Sequence, residues 1–202
     1  MTEVVLATHN RDKVKEITRI LGDLPVRFRT AGEWPDIPEV EEDRDTFEGN
    51  AAKKALALAE GTGLLALADD TGLVVPALGG EPGVYSSRYA GEDVTYEENW
   101  RKLLSRMENL PEEERGAYFL CVAVLASPEG VVGTAEGRCD GMILRKPRGE
   151  GGFGYDPVFL HPPTGRTFAE LRVEEKNRVS HRALAMEGIK PALERAIVNP
   201  RR

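Results

Sequence analysis

The sequence predicts an α/β or α+β fold around a mixed β-sheet. Three observations lead there. Helix-like and strand-like patterns mix along the whole 202-residue chain rather than segregating into halves. Two β-rich runs in "AYFLCVAVLASPEGVVGTAEGRCDGMIL" flank Ser127-Pro128-Glu129-Gly130, the strongest hairpin signal in the chain. No internal repeat or low-complexity linker interrupts the pattern, so one domain over residues 1–202 is expected.

The elements follow in order. Residues 3–8 read as a strand, and 11–21 as a helix that ends near Gly22, with apolar residues Val14, Ile17 and Leu21 at helical spacing. Residues 25–29 read as a second strand. An acidic, proline-containing loop, "GEWPDIPEVEEDRD", comes next. "TFEGNAAKKALALAEGTG" is a strong helix: Thr46 or Asp45 caps it, alanine and leucine fill it, and glycine stops it. "LLALADDTGLVV" reads as a buried strand, a tight polar turn or bulge at Asp69-Asp70-Thr71-Gly72, and another strand. "TYEENWRKLLSRM" opens with a capping box, Thr95 to Glu98, and continues as an amphipathic helix. The hairpin follows, then a glycine- and proline-rich loop, "RKPRGEGGFGYDPVFLHPPTG". Residues 173–197 read as helical, with a break near Ser180.

Composition narrows the function. Apolar residues make up 41% of the chain, enough for a real core, and the formal net charge is -7. That charge argues against binding to a nucleic-acid backbone, although it leaves room for a local basic pocket. No uninterrupted apolar stretch is long enough to span a membrane, and the N-terminal run lacks the shape of a secretory signal. Cys121 and Cys139 are too few for a disulfide framework and lack metal spacing, and they read as reduced thiols of a cytoplasmic protein. His9, His161 and His181 lie far apart and form no zinc-type pair.

Several stretches carry candidate chemistry. Thr8-His9-Asn10 and Lys13 sit at a strand-to-helix junction, where unpaired backbone N–H groups suit an anion. The plain alternative is that Thr8 or Asn10 only caps the helix. Asp69 and Asp70 are neighbours in a buried segment. In a regular strand they point to opposite faces, so one alone can face a given pocket. A buried carboxylate needs a partner such as Mg2+, unless both aspartates only bond a local turn. Glu39, Glu41, Glu42 and Asp43 form either a solvated acidic loop or a source of a second metal ligand. Gly149, Gly151 and Gly154 satisfy G-x-G-x-x-G, with Glu170 downstream, but no helix follows, so a dinucleotide fold is rejected. What remains is a glycine loop presenting Phe153, Tyr155 and Asp156, suited to stacking on a flat base or to plugging a core. Lys176, Ser180, His181 and Arg182 cluster in "EEKNRVSHR", and Asn50 and Lys54 share one helix face. No serine, cysteine or threonine has a convincing base partner. The inventory suits metal-assisted attack of water on a nucleoside phosphate.

Taken in order, "ATHNRDK", "TFEGNAAKKA", "ADDTGL", "GEPGVYSSRYAGE", "GGFGYDPVF" and "FAEL…EEKN…SHRALA" resemble the inosine triphosphate pyrophosphatase family, the RdgB-like XTP/dITP diphosphatases. The likeness covers nearly the whole chain. It implies an elongated α/β fold with a mixed central sheet, two lobes around a cleft, and a homodimer. It implies Mg2+-dependent cleavage of ITP, dITP and XTP to the monophosphate and pyrophosphate. By motif, Thr8, Asn10, Lys13, Lys54 and Arg88 would hold the phosphates. Asp70 would be general base and metal ligand, with Glu41 from the acidic loop, or in its place Glu39 or Glu42. Thr71, where many relatives have serine, would contact the substrate. Phe153 would stack on the base, lined by Gly154, Tyr155 and Asp156, with Lys176, His181 and Arg182 completing its recognition. His9 stands where many relatives have glycine, and its side chain would crowd or contact the triphosphate. Two rival readings are a Maf-like pyrophosphatase for pyrimidine or other modified nucleotides and a non-catalytic nucleotide sensor.

Overall fold

A computed structural model describes residues 2–198. Strand β1 (Thr2–Leu6) pairs in parallel with β2 (Val26–Thr30), Val4 opposite Phe28 and Leu6 opposite Thr30. Between them runs α1 (Arg11–Ile20). On its other side β1 pairs in parallel with β3 (Leu65–Val74), Val4 opposite Leu65 and Leu6 opposite Leu67. Helix α2 (Phe47–Thr62) precedes β3. Thr46 Oγ1 accepts from the Gly49 N–H at its start, and Gly63 closes it at φ 71°, a conformation a Cβ would strain. Helix α3 (Tyr96–Arg106) carries the expected capping box between Thr95 and Glu98.

The expected hairpin is formed by β4 (Gly116–Ser127) and β5 (Gly130–Ile143). Two neighbouring strands joined by only Pro128 and Glu129 must run antiparallel. β5 pairs antiparallel with β6 (Phe159–His161), which pairs antiparallel with β7 (Arg166–Thr167). The seven-stranded mixed sheet has the order β2-β1-β3-β4-β5-β6-β7. The chain ends in α4 (Val173–Val179) and α5 (His181–Val198), separated at Ser180 as the sequence implied. The mixed α/β fold is as predicted. One expectation fails: Asp69-Asp70-Thr71-Gly72 is no turn, because β3 runs unbroken through it.

The chain divides into two compact units. The first holds residues through Asp70, Cys121–Gly137, and Arg182 onward; the second holds Thr71–Leu120 and Arg138–His181. In the first, Val4, Leu6, Leu67, Cys121, Ala123 and Leu125 pack against α1 and α5 through Ile17, Leu21, Met186 and Ile189. The opposite face of the same strands, Val5, Ala66, Ala68, Val122 and Val124, packs on α2 through Ala51, Ala55, Leu58 and Ala59. Alternate strand residues thus bury on both faces. In the second unit Leu73, Phe119, Ile143, Phe159 and Phe168 form one core with Leu103 of α3 and Met107 just beyond its end. No helix among the described residues is long and apolar enough to cross a membrane.

Candidate functional site

In the first unit β1 ends at Leu6 and α1 starts at Arg11, with Asn10 as its cap. Asn10 Oδ1 accepts from the backbone N–H of Asp12 at 2.9 Å and of Lys13 at 3.2 Å. Thr8 Oγ1 accepts from the Asn10 N–H at 3.1 Å. His9, between them, is exposed. One turn into the helix, Lys13 reaches Asp69 with its ammonium 3.2 Å from Oδ2. Asp69 is fully buried and is gripped from the other end of the chain by Arg182, whose Nε and one terminal nitrogen each lie 3.2 Å from Oδ2. The other terminal nitrogen of Arg182 donates to Glu16 on α1. Two cations and two carboxylates thus form a buried network, the arrangement in which buried charges are tolerable. Arg182 is held above its ordinary value; burial opposes its charge, and Asp69 and Glu16 outweigh that.

Asp70 lies on the opposite face of β3, the face that α2 covers. Asn50 Nδ2 donates to its Oδ2 at 3.1 Å, and the Lys54 ammonium lies 3.9 Å from its Oδ1. Lys54 also donates to Glu42 and, at 2.8 Å, to the Asp69 backbone carbonyl. Asn50 does more than touch Asp70: its amide accepts from the Arg44 N–H at 2.9 Å and donates to the Arg44 carbonyl at 3.3 Å. Next along, Lys53 donates at 2.8 Å to both the Glu41 carbonyl and the Asp43 carboxylate. The acidic loop is therefore stapled to α2 on either side of Glu42. Burial pushes the Asp70 carboxyl above its ordinary value. Lys54 opposes the rise, Glu42 adds to it, and Lys13 and the Asn50 bond pull it back in part. Burial pulls Lys54 down, yet Glu42, Asp70 and Asp69 together hold it above its ordinary value.

These donors fit a hard divalent cation. Two carboxylates, Asp70 and Glu42, face one positive charge, and carboxylate oxygens are the ligands magnesium takes. Among the described residues no group of three or more His, Cys, Asp or Glu forms a ready cage. Magnesium needs none, since it binds one or two carboxylates and fills its other positions with water and substrate phosphate.

The second unit gathers the aromatic candidates. Phe153 is half-buried in the glycine loop, and Asp156 Oδ2 accepts from its N–H at 3.0 Å. Asp156 Oδ2 also accepts from Lys176 at 2.6 Å, a pair with side chains only 3% and 6% exposed. The Lys176 ammonium sits 4.8 Å from the Phe153 ring centroid and 5.6 Å from that of Phe168. Tyr96 meets Phe153 at 5.8 Å and 44°. His181, buried, stacks on Phe119 at 4.4 Å and 21° and faces Phe168 at 6.3 Å. Tyr155 is buried and donates to the Ser86 carbonyl at 2.9 Å; burial, then Tyr89, pushes its hydroxyl far up, so it stays neutral. Gly152 must be glycine: its φ is 70°, and a Cβ there would sit 2.0 Å from Asp156 Oδ2. Gly154 also has a positive φ, 62°. Thr71, half-buried, belongs to β3, and Arg88 lies over the Tyr85 ring at 5.3 Å.

The structure gathers Thr8, Asn10 and Lys13 at one helix start, Lys54 with Asp70, and Phe153 and Asp156 with Lys176. The acidic loop and Arg182 add detail to the sequence reading, which allows Glu39 or Glu42 in place of Glu41. Glu42, not Glu41, puts its carboxylate on Lys54 beside Asp70; Glu41 is exposed and gives Lys53 only its carbonyl. Arg182 was expected at the base, but it is 1% exposed with its guanidinium on Asp69 and Glu16. Sequence reasoning missed Glu16 and Phe168. Glu16 had a signal, since it sits three residues from Lys13 on one helix face. Phe168, under Lys176, had none.

Fold and residues together define a mixed α/β protein with a lysine–carboxylate cluster in one unit and an aromatic–lysine cluster in the other. The structure is similar to a HAM1 protein from Coxiella burnetii, with a TM-score of 0.88 at 42% identity, covering 96% of this chain and all of that one. It is also similar to the Staphylococcus aureus Ham1 protein, with a TM-score of 0.85 at 38% identity, covering 96% and 98%. Residues 4–192 match the Ham1 family, and the chain belongs to it. The dITP/XTP pyrophosphatase of Desulforamulus reducens is 51% identical over 197 residues, 98% of each chain. That of Geobacter sulfurreducens is 53% identical over 193 residues, 96% of this chain and 97% of the other.

Proposed function

We propose that this protein hydrolyses non-standard purine nucleoside triphosphates, dITP, XTP and ITP, to the monophosphate and pyrophosphate. Full-length identity to dITP/XTP pyrophosphatases supports the reaction. The observation that carries the chemistry is the Asp70 group, a buried carboxylate with Lys54 and Glu42 around it.

Thr8, His9, Asn10 and Lys13 take the phosphates at the start of α1, where the positive end of the helix dipole favours anions. Lys54 and Arg88 add positive charge, and Thr71 a hydroxyl. Asp70 and Glu42, the alternative to Glu41, would hold Mg2+. When bound, Mg2+ neutralises phosphate charge and polarises the phosphoryl oxygens. Asp70 orients a water molecule and takes its proton. That water attacks the α-phosphorus. The bond to the bridging oxygen breaks, pyrophosphate leaves, and Lys13 and Lys54 steady its growing charge. Phe153 stacks on the base. Gly154, Tyr155, Asp156, Lys176 and His181 shape its pocket, and Lys176 donates to the 6-keto oxygen. Adenine, with an amino group there, sets donor against donor, and such a site discriminates by roughly 10⁴-fold or more. Arg182 acts on recognition indirectly, by fixing Asp69 and with it Lys13. A homodimer in the cytoplasm completes the proposal.

The test is pyrophosphate release from dITP, XTP, ITP, GTP and ATP, with magnesium and with chelator. High kcat/KM for the first three, lost on chelation, is expected. Equal values for ITP and ATP would refute the base reading.

A further inference from the structure

We propose that Lys54 stands in for the divalent cation in the ligand-free protein, and passes from the two carboxylates to the substrate phosphates once a cation takes its place. This rests on the assignment of Asp70 and Glu42 as cation ligands. The Lys54 ammonium has three N–H donors. One goes to Glu42 and one to the Asp69 carbonyl, with Asp70 Oδ1 at 3.9 Å. Its charge is thus spent on the two carboxylates assigned to the cation, and the lysine is only 8% exposed. In that state it is a poor phosphate ligand. A divalent cation between Glu42 and Asp70 supplies the same counter-charge with interest, and leaves the lysine's charge to the phosphates.

The surroundings allow the exchange. If Lys54 were the tether of the acidic loop, releasing it would release Glu42. The loop has other tethers: Lys53 holds the Glu41 carbonyl and the Asp43 carboxylate, and Asn50 holds both backbone groups of Arg44. Asn50 also holds Asp70. Glu42 therefore keeps its place when Lys54 turns away. The consequence is a reciprocal coupling: cation and phosphate each tighten the binding of the other.

Mn2+ binding to the substrate-free, full-length protein, measured by calorimetry, tests the idea. Lys54→Met removes the competing charge and should tighten Mn2+ by about tenfold or more, given the strength of unit charges at this separation. Unchanged or weaker binding would mean that Lys54 is a structural partner of Glu42, and would overturn the proposal. Glu42→Gln, an isosteric change at a half-buried position, gives an independent arm. In chelator, it should tighten inorganic pyrophosphate several-fold by freeing Lys54, and no change would overturn the proposal too. Asp70→Asn separates this idea from the reading beneath it. Mn2+ binding indifferent to that change would place the cation elsewhere and sink both. Mn2+ binding abolished by Asp70→Asn yet untouched by Lys54→Met sinks only the exchange.

Discussion

Asp70→Asn should give a protein that is more stable and nearly inactive. The substitution keeps the side-chain volume and an oxygen that still accepts from Asn50, now at 3.1 Å. It removes one negative charge from a site only 4% exposed. Two opposing quantities set the stability change. The attraction to Lys54 at 3.9 Å is lost, about 4 kcal/mol at an effective dielectric constant near 20. The cost of burying an ionised carboxylate is also lost, several kcal/mol even after relaxation. The direction of the Asp70 shift decides between them: with burial as its largest cause and Glu42 assisting, the carboxyl is raised, so the burial cost wins. A raised acid destabilises the fold where it is ionised. The penalty is absent below the ordinary value of 3.8, grows as pH rises through the folded value, and is complete above it. Thermal melting should therefore show a higher Tm for the variant at pH 7 and a difference that closes toward pH 3.8. Pyrophosphate release from ITP should fall by about 10²–10⁴-fold for loss of the base alone, and further for loss of a metal ligand. Turnover within tenfold of wild type, or a lower Tm at pH 7, would refute the reasoning.

Other outcomes follow from the second unit. Phe153→Ala should raise KM for ITP roughly five- to 150-fold, the equivalent of about 1–3 kcal/mol of base stacking, with kcat little changed; steady-state kinetics with ITP reads it. Gly152→Ala forces a Cβ against Asp156 Oδ2 at a φ of 70°, which drives Asp156 off Lys176. Its kcat/KM ratio for ITP over ATP should collapse, and an unchanged ratio would detach this pair from base selection. Glu175 is held down to about 2, first by Arg166 and then by the Arg172 N–H. A lowered acid stabilises above its ordinary value of 4.5 and loses that contribution as pH falls through the folded value. The Tm deficit of Glu175→Gln should be complete above pH 4.5 and shrink toward pH 2.

Whatever is specified locally was legible in the sequence. Asn10, Thr46 and the Thr95–Glu98 box each satisfy orphan N–H groups within three residues, and each marks a helix start in the structure. The hairpin at Pro128-Glu129 needs only its own turn. What the sequence left open or misread depends on distant partners. Aspartate and glycine in a row suggest a turn because both are poor strand formers. Here Lys13, Arg182, Asn50 and Lys54 come from three helices to satisfy the two carboxylates, and the strand is kept. Glu41 and Glu42 sit in a loop without periodicity, so nothing in the sequence says which one turns inward; Lys53 and Asn50 decide it. Arg182 is 113 residues from Asp69 and 166 from Glu16, beyond the reach of any pattern argument.

The unbroken strand also explains why the protein carries two adjacent aspartates. Had the pair formed a turn, both carboxylates could have faced one side and competed for the same cations. In β3 the two-residue alternation divides them. Leu67 and Asp69 share the face covered by α1 and α5; Ala66, Ala68 and Asp70 share the face covered by α2. Asp69 is committed to Lys13 and Arg182, and so fixes the lysine at the proposed phosphate grip without being consumed in catalysis. Asp70 keeps the Asn50 bond and a longer, 3.9 Å approach to Lys54, and its burial raises the carboxyl. The same reasoning predicts that exchanging their roles is impossible by exchange of side chains alone. Asp69→Asn should release Lys13 and Arg182 and lower Tm, the opposite of Asp70→Asn, since it strips a buried pair of its anion, a loss of about 3–5 kcal/mol. A melting scan of the two variants side by side checks it. Tm shifts of the same sign would mean that the two carboxylates do not play opposite parts in stability, and the division of labour would fall.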